Sequence, residues 1–149
     1  MGGVILTNGG QGWILTTAFL RRVLEILYDG EPQAEDDVHA LVELHRSQVA
    51  ATRRRLTIPA PESAASALAA AYTKAGVGEI AVRRDGPRTV FRFGDWESSV
   101  GARRNEDGTV SFVTVDPGSG DFDFVAGEMN GKRTLTLRFP QREHVFVER

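Results

Sequence analysis

From Glu79 onward, apolar and polar residues alternate along the sequence. Seven short sets of side chains follow this period of two: Ile80/Val82, Phe91/Phe93, Trp96/Ser98/Val100/Ala102, Val110/Phe112, Phe122/Phe124, Leu135/Leu137/Phe139 and Val145/Val147. Turn dipeptides such as Asp85-Gly86, Asp107-Gly108 and Asn130-Gly131 separate the sets. The alternation indicates strands with one buried side, and the tight turns predict an antiparallel meander. Because a meander of this kind buries its apolar side by curling, we predict a seven- to eight-stranded antiparallel barrel.

The first part of the chain has a helical period instead. From Trp13 to Tyr28, apolar residues at helical spacing form one stripe, and further apolar residues lie on other faces of the helix. The stripe contains Trp13, Leu20, Val23, Leu24 and Leu27, and the other faces carry Ile14, Phe19 and Ile26. Asp29-Gly30 followed by Pro32 predicts the end of this helix. A helix that is apolar on several faces is predicted to be buried on more than one side.

A second helix is predicted from Ala34 to about Leu56, with acidic residues in its first turn and arginines in its last, as the helix dipole favours. Two prolines at positions 59 and 61 end this region. The alanine-rich segment from Glu62 to Tyr72 then predicts a short third helix. We therefore place the boundary at residues 57–61, between an N-terminal domain of residues 1–56 and a barrel domain of residues 62–149, and predict the α+β class.

The residues before the first helix predict a strand and a tight turn. Val4-Ile5-Leu6-Thr7 has the character of a buried strand, and Asn8-Gly9-Gly10-Gln11-Gly12 that of a turn. No segment before residue 79 offers this strand a partner, so we expect the chain to be the tail of a larger protein. The glycine-rich turn lacks the spacing of dinucleotide-binding and phosphate-binding loops, so we interpret it as a turn and not as an anion site.

This strand and helix resemble a known family. Val4-Ile5-Leu6-Thr7-Asn8-Gly9, with a helix ending in Leu27-Tyr28-Asp29-Gly30-Glu31-Pro32, resembles the end of the catalytic domain in serine hydrolases of the class C β-lactamase and penicillin-binding-protein-like superfamily. The second half is similar to the small, lipocalin-like barrel that many members append, through Ala71-Tyr72-Thr73, Gly78-Glu79-Ile80-Ala81-Val82, Phe93-Gly94-Asp95-Trp96, Asp107-Gly108-Thr109 and Val145-Phe146-Val147. The resemblance covers nearly the whole chain.

The resemblance implies that this chain is a non-catalytic C-terminal accessory domain of a hydrolase that forms an acyl-enzyme, acting as a β-lactamase, esterase or peptidase. The family's nucleophile lies in a Ser-x-x-Lys motif, and no serine here is followed by lysine three residues later. Tyr72-Thr73-Lys74 lacks the family's asparagine, and Lys74-Ala75-Gly76 lacks a serine partner. We therefore expect the chain alone to be inactive, with the upstream catalytic domain as its partner. A periplasmic or secreted location follows if the parent protein follows the family.

Composition argues against several other classes. The formal net charge of -2 lacks the basic excess of nucleic-acid modules, so no nucleic-acid partner is predicted. The chain contains no cysteine, and no apolar run approaches the ~20 residues that cross a bilayer. The histidines His39, His45 and His144 do not have the spacing of a ligand cluster, so we predict no metal or cofactor.

Two alternative functions stay open at this point. The aromatic residues of the second half either fill the barrel or line a cavity for an apolar ligand: Phe91, Phe93, Trp96, Phe112, Phe122, Phe124 and Phe139. A barrel of about 85 residues is near the size at which side chains fill the interior, so a filled core is favoured. A protein-interaction module would instead show an apolar patch on the barrel surface. The apolar faces of the first helix, without a catalytic sheet, would pack within the chain, stay mobile or drive weak self-association.

Overall fold

In the residues that the structure describes, three helices are followed by eight strands. The structure is a computed structural model, and it describes residues 4–7, 12–119, 121–139 and 142–149. The helices are α1 (Trp13–Tyr28), α2 (Ala34–Arg54) and α3 (Glu62–Ala65). The strands are β1 (Ala71–Lys74), β2 (Gly78–Asp85), β3 (Arg88–Phe93), β4 (Trp96–Arg104), β5 (Val110–Thr114), β6 (Asp123–Met129), β7 (Lys132–Phe139) and β8 (Arg142–Glu148). The chain divides into two compact units, residues 1–53 and residues 54–149.

The eight strands form a closed barrel in which sequence neighbours pair antiparallel. At the seam, β1 pairs with β8 through Tyr72 opposite Glu148 and Thr73 opposite Val147. The β6–β7 turn shows how the connections work, because Asn130-Gly131 has positive φ at both residues, 54° and 73°. This is the hairpin turn whose twist matches that of a right-handed sheet. The predicted α+β class and the antiparallel meander barrel are confirmed.

Strand β1 differs from the sequence prediction. The alanine content predicts a helix from Glu62 to Tyr72, but α3 ends at Ala65 and Ala71–Lys74 is a strand. Tyr72 accounts for the difference, because its side chain is 1% exposed and its hydroxyl accepts a hydrogen bond from the Ala69 backbone N–H at 2.8 Å. Burial of a large aromatic side chain outweighs helix propensities of less than about 1 kcal/mol per residue. The helix prediction is therefore wrong beyond Ala65.

Aromatic rings fill the barrel interior. The largest side chains with less than 2% exposure are Tyr72, Phe91, Phe112, Phe124, Phe146, Ile80 and Leu135. The Phe91 ring centroid lies 5.9 Å from that of Phe112 and 5.4 Å from that of Phe124. Rings at these separations are in direct contact. The interior is therefore a packed hydrophobic core, which is the arrangement that the sequence favours.

The segment from residue 60 to residue 70 packs against one end of this core. Ala60 and Ala69 belong to the core cluster, and Ala64 and Leu68 pack against it. The Val82 backbone N–H donates to the Ala70 carbonyl at 2.9 Å. Small side chains let the segment approach closely, so the alanine-rich composition serves close packing more than helix formation.

Residues 57–60, part of the boundary predicted from the sequence, are hydrogen-bonded to β4. Thr57 and Ala102 exchange two backbone hydrogen bonds with N···O distances of 2.8 and 3.0 Å, and the Ala60 N–H donates to the Val100 carbonyl at 3.3 Å. The pairing of β3 with β4 ends with Thr89 opposite Val100. Beyond the end of β3, residues 57–60 therefore pair with the edge of β4 that β3 does not cover.

The strand predicted at Val4 to Thr7 is wrong, because these residues form no strand in the structure. Val4 is 83% exposed and Leu6 is 90% exposed. A strand needs a neighbour for its backbone N–H and C=O groups, and in the described part of the chain no strand precedes Ala71. The turn predicted at residues 8–11 lies outside the described residues.

Gly101 on β4 lies where the segment at residues 56–58 crosses closely. A Cβ atom added there would lie 2.8 Å from Ile58 Cγ1, 3.3 Å from Leu56 Cβ and 3.3 Å from the Thr57 carbonyl oxygen. We expect Gly101→Ala to destabilise the barrel by about 1–3 kcal/mol, the usual cost of overpacking. Urea unfolding followed by near-UV circular dichroism measures the loss.

The matched control is Gly127→Ala on β6, because both glycines lie inside strands. A Cβ atom at Gly127 has one close neighbour, the Thr134 side-chain oxygen at 3.3 Å. This variant should unfold near the wild-type midpoint. If both variants unfold at the same urea concentration, the close crossing over Gly101 is not present in solution.

Candidate functional site

Glu25 on α1 fixes the start of α2. Its Oε1 accepts hydrogen bonds from the backbone N–H groups of Gln33 at 2.9 Å and Ala34 at 2.7 Å. Its Oε2 accepts a hydrogen bond from Arg22 Nη1 at 3.2 Å. The first N–H groups of a helix have no acceptor within the helix, so this carboxylate caps α2 and places negative charge at the positive end of its dipole. Glu25 is therefore a buried charged residue that joins the two helices of the hairpin.

The same contacts set the acidity of Glu25. Burial raises the pKa of the carboxyl, but the hydrogen bonds from Ala34, Arg22 and Gln33 together lower it by more. The pKa of Glu25 therefore lies below its ordinary value. At neutral pH the group is ionised and holds the cap.

The buried side of α1 is not its apolar stripe. The buried residues of this helix are Ile14, Ala18 and Glu25, which cluster on one face at about 100° per residue. Arg21, beside this face, forms an ion pair with Asp37 of α2. The stripe identified in the sequence is largely exposed: Trp13 by 50%, Leu20 by 65%, Leu24 by 47% and Leu27 by 46%. Within the described residues α1 is therefore buried on one side, and its burial on a second side stays a prediction.

We call the apolar side of α1 the α1 arc. It consists of Trp13, Leu15, Phe19, Leu20, Val23, Leu24, Ile26, Leu27 and Tyr28, with Thr16 and Thr17. These residues span about 220° of the helix circumference. All three charged residues of α1 lie outside the arc. Contiguous exposed apolar surfaces of this kind mark interaction sites, so the arc is the candidate functional surface of the first unit.

An open groove borders the α1 arc. Its volume is about 330 Å³. Its lining is mostly apolar and consists of Ile5, Leu15, Ala18, Phe19, Arg22, Ala34, Glu35 and Val38. Leu15 and Phe19 belong to both the groove and the arc, so the two form one continuous apolar surface on the helical hairpin.

Tyr72 and Lys74, the residues compared above with the catalytic motifs of the resembled family, both lie on strand β1. Tyr72 lies in the barrel core and Lys74 ends β1. Burial raises the pKa of the Tyr72 hydroxyl above its ordinary value, although the hydrogen bond from Ala69 opposes this effect. The hydroxyl therefore stays protonated at neutral pH.

The three histidines lie in separate environments. His39 is exposed, with Nε2 3.9 Å from Glu35 Oε1, and His45 is half-buried on α2. The His144 ring packs edge-on against Phe139 with centroids 6.0 Å apart. His144 Nδ1 is buried without a hydrogen-bond partner among the described residues. Within the same residues, no group of three or more histidine or carboxylate side chains is placed to hold a metal ion.

A row of aromatic rings occupies one end of the barrel. The Trp96 ring lies 5.6 Å from Phe93 and 5.6 Å from Phe122, and Phe122 lies 6.0 Å from Phe139. The Phe122 backbone N–H donates to Thr114 Oγ1 at 2.8 Å, which fixes the loop that carries Phe122. The rings mainly cover one another, so this row extends the core more than it forms a binding platform.

The helix cap formed by Glu25 is the contact in this unit that the sequence did not predict. Its partners Gln33 and Ala34 lie eight and nine residues further along the chain, beyond the turn between the helices. A capping box places its acidic residue three positions after the cap, so it gives no signal for a carboxylate that comes from a preceding helix.

In the described part of the chain, no helix has both the length and the apolarity to cross a membrane. Comparisons with protein-family models, with curated proteins and with solved structures found no match. Among the described residues, the α1 arc is the structural feature from which a function is proposed below.

Glu25→Gln should weaken the cap at the start of α2. The amide side chain keeps the shape but loses the negative charge, so we expect the Ala34 amide to exchange roughly tenfold faster at pH 7, as for a lost helix cap. Because the folded pKa is lowered, the stabilisation by the wild-type carboxylate is present above the ordinary pKa of 4.5 and is lost as the pH falls through the folded pKa. Hydrogen exchange by NMR between pH 3 and pH 7 measures both effects.

The control is Glu43→Gln on α2, where the carboxylate contacts Arg46 at 2.7 Å on the solvent side. An exposed pair of this kind contributes little, so the exchange of Ala34 should not change. A Glu25→Gln protein with wild-type exchange at pH 7 would contradict the capping role.

Proposed function

We propose that this chain is a non-catalytic accessory region of a serine hydrolase resembling class C β-lactamases and penicillin-binding proteins. In this proposal α1 packs on the catalytic domain and β1 to β8 form the appended barrel. The α1 arc carries the proposal, because a helix that is apolar over about 220° suits burial between layers better than a solvent-facing position. In the resembled family, the last helix closes the catalytic domain in this way.

The energetics of the arc support a docking role. Full burial of a large apolar side chain contributes about 1.5–3 kcal/mol. Trp13, Leu20, Leu24 and Leu27 each keep about half of their surface or more in solvent. Covering each of them would therefore contribute about 1 kcal/mol, which is enough in total to favour a partner surface.

The environments of the buried serines support a non-catalytic role. Ser98 Oγ donates to the Ser99 carbonyl at 2.9 Å, and Ser119 Oγ donates to the Asp116 carbonyl at 2.6 Å. Ser111 Oγ lies 2.9 Å from Asn105 Nδ2. A nucleophilic serine needs a neighbouring base, whereas the first two hydroxyls donate to backbone carbonyls and the third accepts from an asparagine amide.

The packed interior argues against the alternative of an apolar-ligand barrel. The other alternative, an interaction module, requires an apolar patch on the barrel. Among the described residues of the second unit, the exposed large apolar residues are Ile58, Val77, Met129 and Phe139, which lie on four separate segments. The α1 arc is the more continuous surface, and this favours the accessory proposal over both alternatives.

We expect no hydrolytic activity from this chain. Incubation with nitrocefin and with p-nitrophenyl esters should give the rate of a matched protein that contains no serine. Turnover clearly above that rate, lost after treatment with a serine-directed inhibitor, would refute the non-catalytic role.

The family assignment is tested by sequencing the gene upstream of the Met1 codon. We expect a continuous reading frame that encodes a Ser-x-x-Lys motif. A purified domain encoded by that frame should bind this chain, and Leu20→Ser with Leu27→Ser should weaken the binding by at least tenfold. An in-frame stop codon directly upstream would overturn the proposal.

A further inference from the structure

We propose that the end of α2 is a processing site, where a protease specific for paired basic residues cuts the peptide bond between Arg54 and Arg55. The product is a barrel chain that begins at residue 55. Water adds across the bond in this step, so that Arg54 ends in a carboxylate and Arg55 begins with an ammonium group. The proposal does not depend on the hydrolase assignment.

The sequence contains five runs of adjacent basic residues, and the structure distinguishes one of them. The runs are Arg21-Arg22, Arg53-Arg54-Arg55, Arg83-Arg84, Arg103-Arg104 and Lys132-Arg133. Four of these runs lie within α1, β2, β4 and β7. The run at residues 53–55 lies instead where α2 ends, and all three of its residues are exposed. Exposed segments at the ends of elements are the preferred places for proteolytic cleavage, so this run is the best placed of the five.

The backbone around each run leads to the same choice. A protease binds its substrate as an extended chain, so the helix or strand around the bond has to open first. Strands β2, β4 and β7 are each paired on both sides, and Arg21 lies in the middle of the 16-residue α1. The last carbonyl groups of α2 have no N–H partner within the helix. The turn that carries Arg53 and Arg54 therefore opens at a smaller free-energy cost than the other runs.

The residues after the run select the bond. Thr57 exchanges two backbone hydrogen bonds with Ala102, at 2.8 and 3.0 Å. Leu56 is half-buried, and its Cβ would lie 3.3 Å from a Cβ atom added at Gly101. Arg55, the residue before these contacts, is exposed. A cut that places Arg55 at the new N-terminus therefore leaves the contacts with β4 in place.

The cut also agrees with the division of the chain. The two compact units are residues 1–53 and residues 54–149, so the bond lies one residue inside the second unit. The product of residues 55–149 keeps all eight strands and α3. Cleavage here therefore removes the helices α1 and α2 from the barrel without cutting a strand.

Timed digestion of the intact chain with a protease that cleaves after paired basic residues tests the site. Mass spectrometry of the intact products should show that the first cut follows Arg54, at a rate at least tenfold above that at any other run. The product should keep slow amide exchange in β5 and β7. A first cut at one of the other four runs would overturn the proposal.

Two double variants provide the matched comparison. Arg53→Gln with Arg54→Gln should slow the cut at this site by at least tenfold, because it removes the basic pair before the bond. Arg83→Gln with Arg84→Gln removes a pair of the same composition from β2 and should leave the rate unchanged. Equal rates for the two double variants would contradict recognition of the run at residues 53–55.

Processing in the cell is tested on the protein isolated from cells that express it naturally. Mass spectrometry should find a barrel chain whose N-terminal residue is Arg55. Detection only of chains that continue through residues 53–55 would overturn the proposal. The reading frame upstream of Met1 tests the hydrolase proposal separately, so either proposal can fail without the other.

Discussion

Closure of the barrel depends on the pairing of β1 with β8, because these are the first and last strands of the meander. The seam is reinforced next to Tyr72 by Glu148, which accepts hydrogen bonds from the Arg133 backbone N–H at 3.0 Å and from Arg133 Nε at 2.7 Å. Arg133 also donates to the Ala67 carbonyl at 3.3 Å. These hydrogen bonds lower the pKa of Glu148 in spite of the opposing effect of burial. Arg133 therefore connects β7, β8 and the segment before β1. Without the pairing of β1 with β8, the sheet would have two open edges.

The sequence predicts the barrel well because alternation and turn residues are local signals. The seven predicted sets of alternating residues fall on or next to β2 to β8. The alternation does not reveal strand β1, because Ala71–Lys74 is short and carries a single large apolar residue. Tyr72 becomes a strand residue through its burial and its pairing with Ile80, which are contacts between distant parts of the fold. Local propensity does not contain that information.

In the first unit, the helical period predicts the helix but not the face that is buried. Helix α1 covers Trp13–Tyr28, as its pattern predicts, but the pattern does not say which face meets α2. The face that is buried carries Glu25, whose carboxylate satisfies the first N–H groups of α2, and the small Ala18. The capping contact brings the Glu25 face of α1 against the start of α2, and the α1 arc lies on the other side of the helix.

The central claim is that the barrel is the stable unit and that the α1 arc is open to partners. Native-state hydrogen exchange of the intact chain, at a concentration that keeps it monomeric, tests this claim most directly. Amides in β5 and β7, which are paired on both sides, should exchange most slowly, and those of α1 should exchange orders of magnitude faster. Residues 4–7 should show little protection, since they form no strand. Protection of α1 equal to that of β5 in the monomer, or slow exchange at residues 4–7, would contradict this account.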